Sequence, residues 1–135
     1  MTAHCERGDE YVVGQLAHTY KYEGGGAAVL GSIQPQPIEN ALDGTVPLEK
    51  IAAAIKPIDN HFAHTRLLAL ENTINGRVLP ERYVREAVAL AHGHGLSAHH
   101  SDTHPGIPPP AHMRAIPKHR RAIPPSLIWP VFTPA

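Results

Sequence analysis

Nine of the fourteen prolines in this chain lie between Pro105 and Pro134, interleaved with His, Arg and Ala and following no period of 2 or 3.6. Each proline removes a backbone donor and disfavours helix at the residue before it, so no ordinary helix or central strand fits between Thr103 and Ala135. The apolar cluster Leu127, Ile128, Trp129, Val131 and Phe132 could still dock on a core, and it does not read as a functional motif. The composition changes abruptly between Leu96 and Ser101, which divides the chain into a globular part, residues 1–100, and a Pro/His-rich tail, residues 101–135.

The globular part alternates between the two hydrophobic periods. Glu10 to Gly14 (Glu-Tyr-Val-Val-Gly) is a short β-branched run ended by a breaker and predicts a strand. His18 to Gly26 reads as a turn-rich connection, with a short helical turn from Ala27 to Leu30. Ser32 to Pro35 reads as a brief extended segment stopped by Pro35 and Pro37. Asp43-Gly44 marks a turn. Beyond Pro47, the residues Leu48, Ile51, Ala52 and Ile55 fall on one helical face. Arg66 to Leu70 suits a strand buried on both faces of a parallel sheet. After the Asn75-Gly76 turn, a helix from Pro80 or Glu81 carries Tyr83, Val84, Ala87, Val88 and Ala91 on one stripe, and Gly93 and Gly95 can end it. Leu96 to His99 is the next strand. This order predicts an α/β layer on a mostly parallel sheet.

Composition narrows the function classes. Lysines and arginines balance aspartates and glutamates at twelve each, with eleven histidines besides, so the chain lacks the basic field that holds nucleic acid. Cys5 is the single cysteine, which excludes an internal disulfide and a multi-cysteine zinc site and points to the cytoplasm. No stretch approaches the roughly 18 apolar residues of a membrane span, and the first residues have no apolar targeting core.

Several runs taken together go further. Ala3-His-Cys-Glu-Arg-Gly-Asp-Glu-Tyr-Val-Val-Gly-Gln, Ala17-His18-Thr-Tyr, and Tyr22-Glu-Gly-Gly-Gly-Ala-Ala-Val-Leu-Gly-Ser-Ile-Gln-Pro-Gln-Pro-Ile are three of them. Asp43-Gly-Thr, Ile55-Lys-Pro, His61-Phe-Ala, Leu70-Glu-Asn-Thr and Asn75-Gly-Arg-Val-Leu-Pro complete the set. In register from Ala3 to about His99, the chain resembles the low-specificity L-threonine aldolases. The resemblance implies part of the large domain of the aspartate-aminotransferase-type fold, three-layered on a mostly parallel sheet. It also implies a carbon-carbon lyase that splits threonine or allo-threonine into glycine and acetaldehyde with pyridoxal phosphate (PLP) as electron sink. Homo-oligomers are implied as well, with no nucleic acid or membrane partner.

Carried over residue by residue, the resemblance makes His18 the histidine that stacks on the PLP ring and acts on the substrate hydroxyl. An imidazole suits both tasks, being planar and titrating near neutral pH. It makes His61 a second active-site histidine near the substrate's β-substituent. Glu71 and Asn72 end a core strand, where α/β sheets collect ligand-binding groups, although capping is an equally good role for them. His64 and Ile74 depart from the family, which has arginine and histidine there, and both are expected beside the cleft.

The family continues past its counterpart of Leu96 with a His-x-Asp-Gly-Ala-Arg run whose aspartate pairs with the pyridinium. Here Ser97-Ala98-His99-His100-Ser101-Asp102 puts Ser101 at that position. Lys21, Lys50, Lys56 and Lys118 are the only lysines, and none stands in the Ser-Lys-Gly context of the family's imine-forming residue. The phosphate-cradling Gly-Thr turn that precedes the counterpart of Ala3 is unmatched too. These gaps predict an inactive fragment. A resemblance that breaks off inside a motif is what a reading-frame shift in a GC-rich gene would leave. Two other classes stay open: a non-catalytic partner of intact aldolase subunits, and a metal-binding module using His92, His94, His99, His100, His104, His112 and His119. In the latter the i, i+4 pair His100 and His104 is followed at once by Pro105, against a helix and against a metal site.

Overall fold

A computed structural model describes residues 1–102 of the chain. Its four strands, β1 (Asp9–Gly14), β2 (Gln34–Ile38), β3 (His64–Asn72) and β4 (Ser97–Asp102), form one parallel sheet in the order β2-β1-β3-β4. Every residue of β1 is buried, as a β-branched run sandwiched between neighbours and layers requires. Leu67 to Leu70 form the equally buried centre of β3.

The connections follow from turn and helix chemistry. α1 (His18–Lys21), one 3-10 turn (Glu23–Gly25) and α2 (Gly26–Val29) join β1 to β2. The stretch expected as plain turns from His18 thus holds a helical turn before the glycines. α3 (Leu48–Ala54) and α4 (Glu81–Gly93) pack against each other, α3 also against β2 and α4 against β3 and β4. The step from β1 to β2 runs opposite to the steps that lead on to β3 and β4. Right-handed crossovers therefore put α1 and α2 on one face of the sheet, and α3 and α4 on the other.

The predicted α4 stripe is the buried one: Val84, Ala87, Val88 and Ala91 enter the core, and Tyr83 bridges the N–H and C=O of Val46 through its hydroxyl at 2.9 Å. Gly95 ends this helix in the left-handed region at φ 77°, while the Leu96 N–H returns to the Ala91 carbonyl at 2.9 Å. Ile51 is the buried anchor of α3.

Two sequence boundaries need correction. Pro35 and Pro37 lie inside β2 and do not stop it, because β2 is an edge strand. The Gln15 N–H bonds to the Ile38 carbonyl at 2.8 Å, so Gln34, Gln36 and Ile38 turn their backbone groups to β1 and the prolines turn theirs away from it. β4 also runs past His99 to Asp102, pairing Glu71 with Ser101 and Asn72 with Asp102, so regular structure outlasts the expected limit at residue 100. The rest of the expected tail lies outside the described residues. Among the described residues no helix is long and apolar enough to cross a membrane.

A buried polar group sits in this apolar frame. Glu10, 0% exposed, accepts Thr65 Oγ1 at 3.0 Å from β3, Gln34 Nε2 at 3.0 Å from β2, and the ammonium of Lys56. Three strands are thereby tied together at the amino-terminal end of the sheet.

Candidate functional site

The strand order reverses direction at β1, whose chain leaves for β2 on one side while β3 lies on the other. The crevice beyond the carboxyl ends of β1 and β3 is where sheets of this kind bind ligands. His18 stands there. β1 closes at Gly14, the chain turns through an Ala17 N–H to Gly14 C=O bond of 3.0 Å, and His18 opens α1. Opposite, Glu71 lies next to the end of β3.

One oxygen of Glu71, Oε2, accepts both the backbone N–H of His18 at 2.6 Å and its Nδ1 at 2.8 Å. On the outer side, His18 Nε2 meets Glu23 Oε1 at 2.9 Å. The ring thus lies between a nearly buried carboxylate and a half-exposed one, and remains 37% exposed itself. The hydrogen bond to Glu71 chiefly, then the charges of Glu71 and Glu23, raise the His18 pKa above the ordinary 6.5 against the opposing effect of burial. An imidazole held this way can stack a flat ring or exchange a proton at its outer nitrogen.

Asn40 shapes the exit from β1. Its Oδ1 accepts the Leu16 N–H at 3.0 Å and its Nδ2 donates to the Gly44 carbonyl at 2.8 Å. A Cβ on Gly14 would lie 2.6 Å from Asn40 Nδ2, so a larger residue there would push the Asn40 amide off its two hydrogen bonds. Behind Glu71, a cavity of about 10 Å³ bounded by Gly14, Asn40, Gly44, Glu71, Ile74 and Tyr83 has room for about one water.

His61 is not part of this constellation. It precedes β3, whose first residue pairs with Asp9 at the start of β1, so it lies at the opposite end of the sheet from His18. Its side chain is 88% exposed, with Nδ1 at 2.6 Å from Asp59 Oδ1. His64 lies at that far end too, beside Asp59 and Phe62, and not next to the cleft as the sequence suggested. Ile74 does reach the cleft, buried against Gly44. Asn72 has the structural role, its Oδ1 accepting the buried Leu79 N–H at 3.1 Å.

Glu23 and Asn40 were not singled out in the sequence. Glu23 carried a faint signal, an acid just ahead of three glycines and five residues after His18; Asn40 carried none. In the register of β3 and β4, Ser101 stands opposite Glu71 and Asp102 opposite Asn72.

The fit to PLP is poor on the residues at hand. Lys21 lies against the Tyr22 ring at 5.5 Å, Lys50 pairs with Glu39 at 3.4 Å, and Lys56 serves Glu10 at the far end, so each described lysine has a partner other than the His18–Glu71 pair. Residues 1–102 offer a ring face and a proton, not a complete cofactor seat. Among them, no group of three His, Cys, Asp or Glu side chains is placed to hold a metal ion, and His104, His112 and His119 lie outside the described residues.

The model of the beta-eliminating lyase family matches residues 1–102. The chain is 61% identical over 99 residues to the low specificity L-threonine aldolase of Escherichia coli (strain K12), covering 73% of this chain and 30% of that protein. A probable low-specificity L-threonine aldolase 2 of Arabidopsis thaliana is 40% identical over 102 residues, covering 71% of this chain and 29% of its own length. The chain therefore spans about 30% of the relatives it matches. The threonine aldolase structure of Leishmania major superposes with a TM-score of 0.63 at 20% identity, over 73% of this chain and 29% of that one. The cysteine desulfurase CsdA of Escherichia coli gives 0.54 at 18% identity, over 73% of this chain and 23% of that one, and at such identities the likeness establishes the shared α/β fold.

Proposed function

Because the chain belongs to the beta-eliminating lyase family, we propose that residues 1–100 are the histidine-bearing part of the large domain of a threonine aldolase, and that this chain alone does not run the reaction. The observation that carries the reading is His18 held by Glu71 at the switch point of the sheet. On this reading, an orientable imidazole in the whole enzyme lies beside PLP and an amino-acid substrate with a β-hydroxyl, and threonine or allo-threonine is split into glycine and acetaldehyde. His18 is the stacking residue and the proton acceptor.

His61 can serve such a site only from a second copy of the chain, since within one copy it occupies the other end of the sheet. That agrees with a homo-oligomer as the working form of the intact protein. The missing lysine and Ser101 in place of the pyridinium's aspartate argue for inactivity of this chain, and the tail from residue 101 is consistent with a shifted reading frame. Incubation with PLP and L-threonine, followed by borohydride reduction and peptide mapping, tests the reading. We expect no acetaldehyde and no single stoichiometric phosphopyridoxyl-lysine; glycine and acetaldehyde together with one labelled lysine would overturn it.

A further inference from the structure

The two carboxylates around His18 are unequal. Glu71 comes from a core strand, is nearly buried, and gives one oxygen to two donors of the same residue, the backbone N–H at 2.6 Å and Nδ1 at 2.8 Å. Glu23 comes from an exposed turn whose three residues, Glu23, Gly24 and Gly25, all have positive φ, and it touches only Nε2. An ionised carboxylate can accept hydrogen bonds and cannot donate one. While Glu71 is ionised, Nδ1 must therefore carry its proton in both charge states of the ring.

We infer that Glu71 is a positioning residue that fixes the Nδ1–H form of His18, which leaves Nε2 as the nitrogen that gains and loses a proton and Glu23 as its replaceable partner. The inference rests on the reading of His18 as a site residue. The consequences follow from the hydrogen-bond roles. In the charged ring, Nε2–H donates to Glu23. In the neutral ring, Nε2 turns a lone pair toward the Glu23 carboxylate, two acceptors face each other, and the contact is lost. A hydroxyl donor from a substrate then takes the place of Glu23 on Nε2, in the geometry a general base needs. Glu71 keeps the ring plane and the backbone of α1 in place throughout, touching no substrate atom.

The test is nitrogen-15 NMR of the His18 ring in the full chain without cofactor, for the unchanged protein, Glu71→Gln and Glu23→Gln, with circular dichroism to verify folding. The expected result is an Nδ1–H signature for neutral His18 in the unchanged chain, kept in Glu23→Gln. In Glu71→Gln, whose amide can donate to Nδ1, the signature shifts to Nε2–H and the titration midpoint falls. The titration of Glu23→Gln should fall as well, without a change of tautomer, which a purely structural role for Glu71 would not produce. An Nε2–H neutral ring in the unchanged chain, or Glu71→Gln with tautomer and midpoint unmoved, would overturn the inference. If Glu71→Gln does not fold, the tautomer of the unchanged chain decides. The measurement needs no PLP and no threonine, so its failure is separate from failure of the aldolase reading.

Discussion

Replacing Lys56 by methionine removes the cation from Glu10 and leaves a carboxylate that is 0% exposed with only the neutral donors Thr65 Oγ1 and Gln34 Nε2, each at 3.0 Å. Breaking a buried pair on one side costs about 3–5 kcal/mol, because the remaining charge loses its partner without regaining water. Lys56 keeps 23% exposure, so solvent already screens part of the attraction, and the lower edge, about 3 kcal/mol, is the expected loss. For a folded unit of this size that lowers Tm by about 12–24 °C. Urea unfolding of the 135-residue chain followed by circular dichroism gives the value directly. The companion variant Glu10→Leu with Lys56→Met removes both charges and should recover most of the loss, since an apolar pair at such a place is often no worse than the ion pair. A loss below about 1 kcal/mol in Lys56→Met, or a double variant no more stable than the single one, would refute the idea that the cation is what makes a buried Glu10 tolerable.

Gly44→Ala should cost about 2 kcal/mol or more, since φ is 92° and the new Cβ would stand 2.5 Å from Ile74 Cγ2; equilibrium unfolding measures it. The pKa of His18 is raised in the folded chain, so its stabilisation is complete below about 6.5 and fades as pH rises through the folded value; a His18→Gln variant should lose the decline of stability that sets in above about 6.5. Burial lowers the pKa of His99, so its neutral form favours folding above about 6.5 and that advantage is lost as pH falls through the folded value; His99→Gln should flatten the acid limb of the stability profile. Burial pushes the Cys5 thiol up to about 11, so it should react slowly with a thiol reagent at neutral pH until the chain is unfolded, and prompt stoichiometric reaction of the native chain would contradict its placement.

Much of the fold was legible because its elements have unequal periods. Tyr11, Val12 and Val13 read as a buried strand and lie at 1% exposure or less, and the α4 stripe from Val84 to Ala91 is the face that packs on β3 and β4. What failed was local. Two prolines in Gln-Pro-Gln-Pro look like a stop when the strand's place in the sheet is unknown, and only an edge position makes them compatible with pairing. The far end of β4 was misread because Ser101 and Asp102 have weak strand preference; their backbone pairing with Glu71 and Asn72 is supplied by β3, which no local pattern reveals.

The candidate site separates the same way. The position of His18 after a strand and that of Glu71 near the end of another are readable, because a parallel sheet with a switch point gathers such ends in one crevice. Their contact is not, since the two stand 53 positions apart in the chain and the pairing of β1 with β3, Val12 opposite Leu68, sets the two strand ends level. The same reasoning removes His61 from the crevice. A residue just before β3 is separated from one near its end by most of the strand, roughly 26 Å for nine residues at 3.3 Å each step, however close the two lie in sequence. A motif shared with a family therefore fixes which residues matter, while strand direction fixes which of them one copy of the chain can bring together. His18 and Glu71 pass that second requirement within one copy; His61 does not.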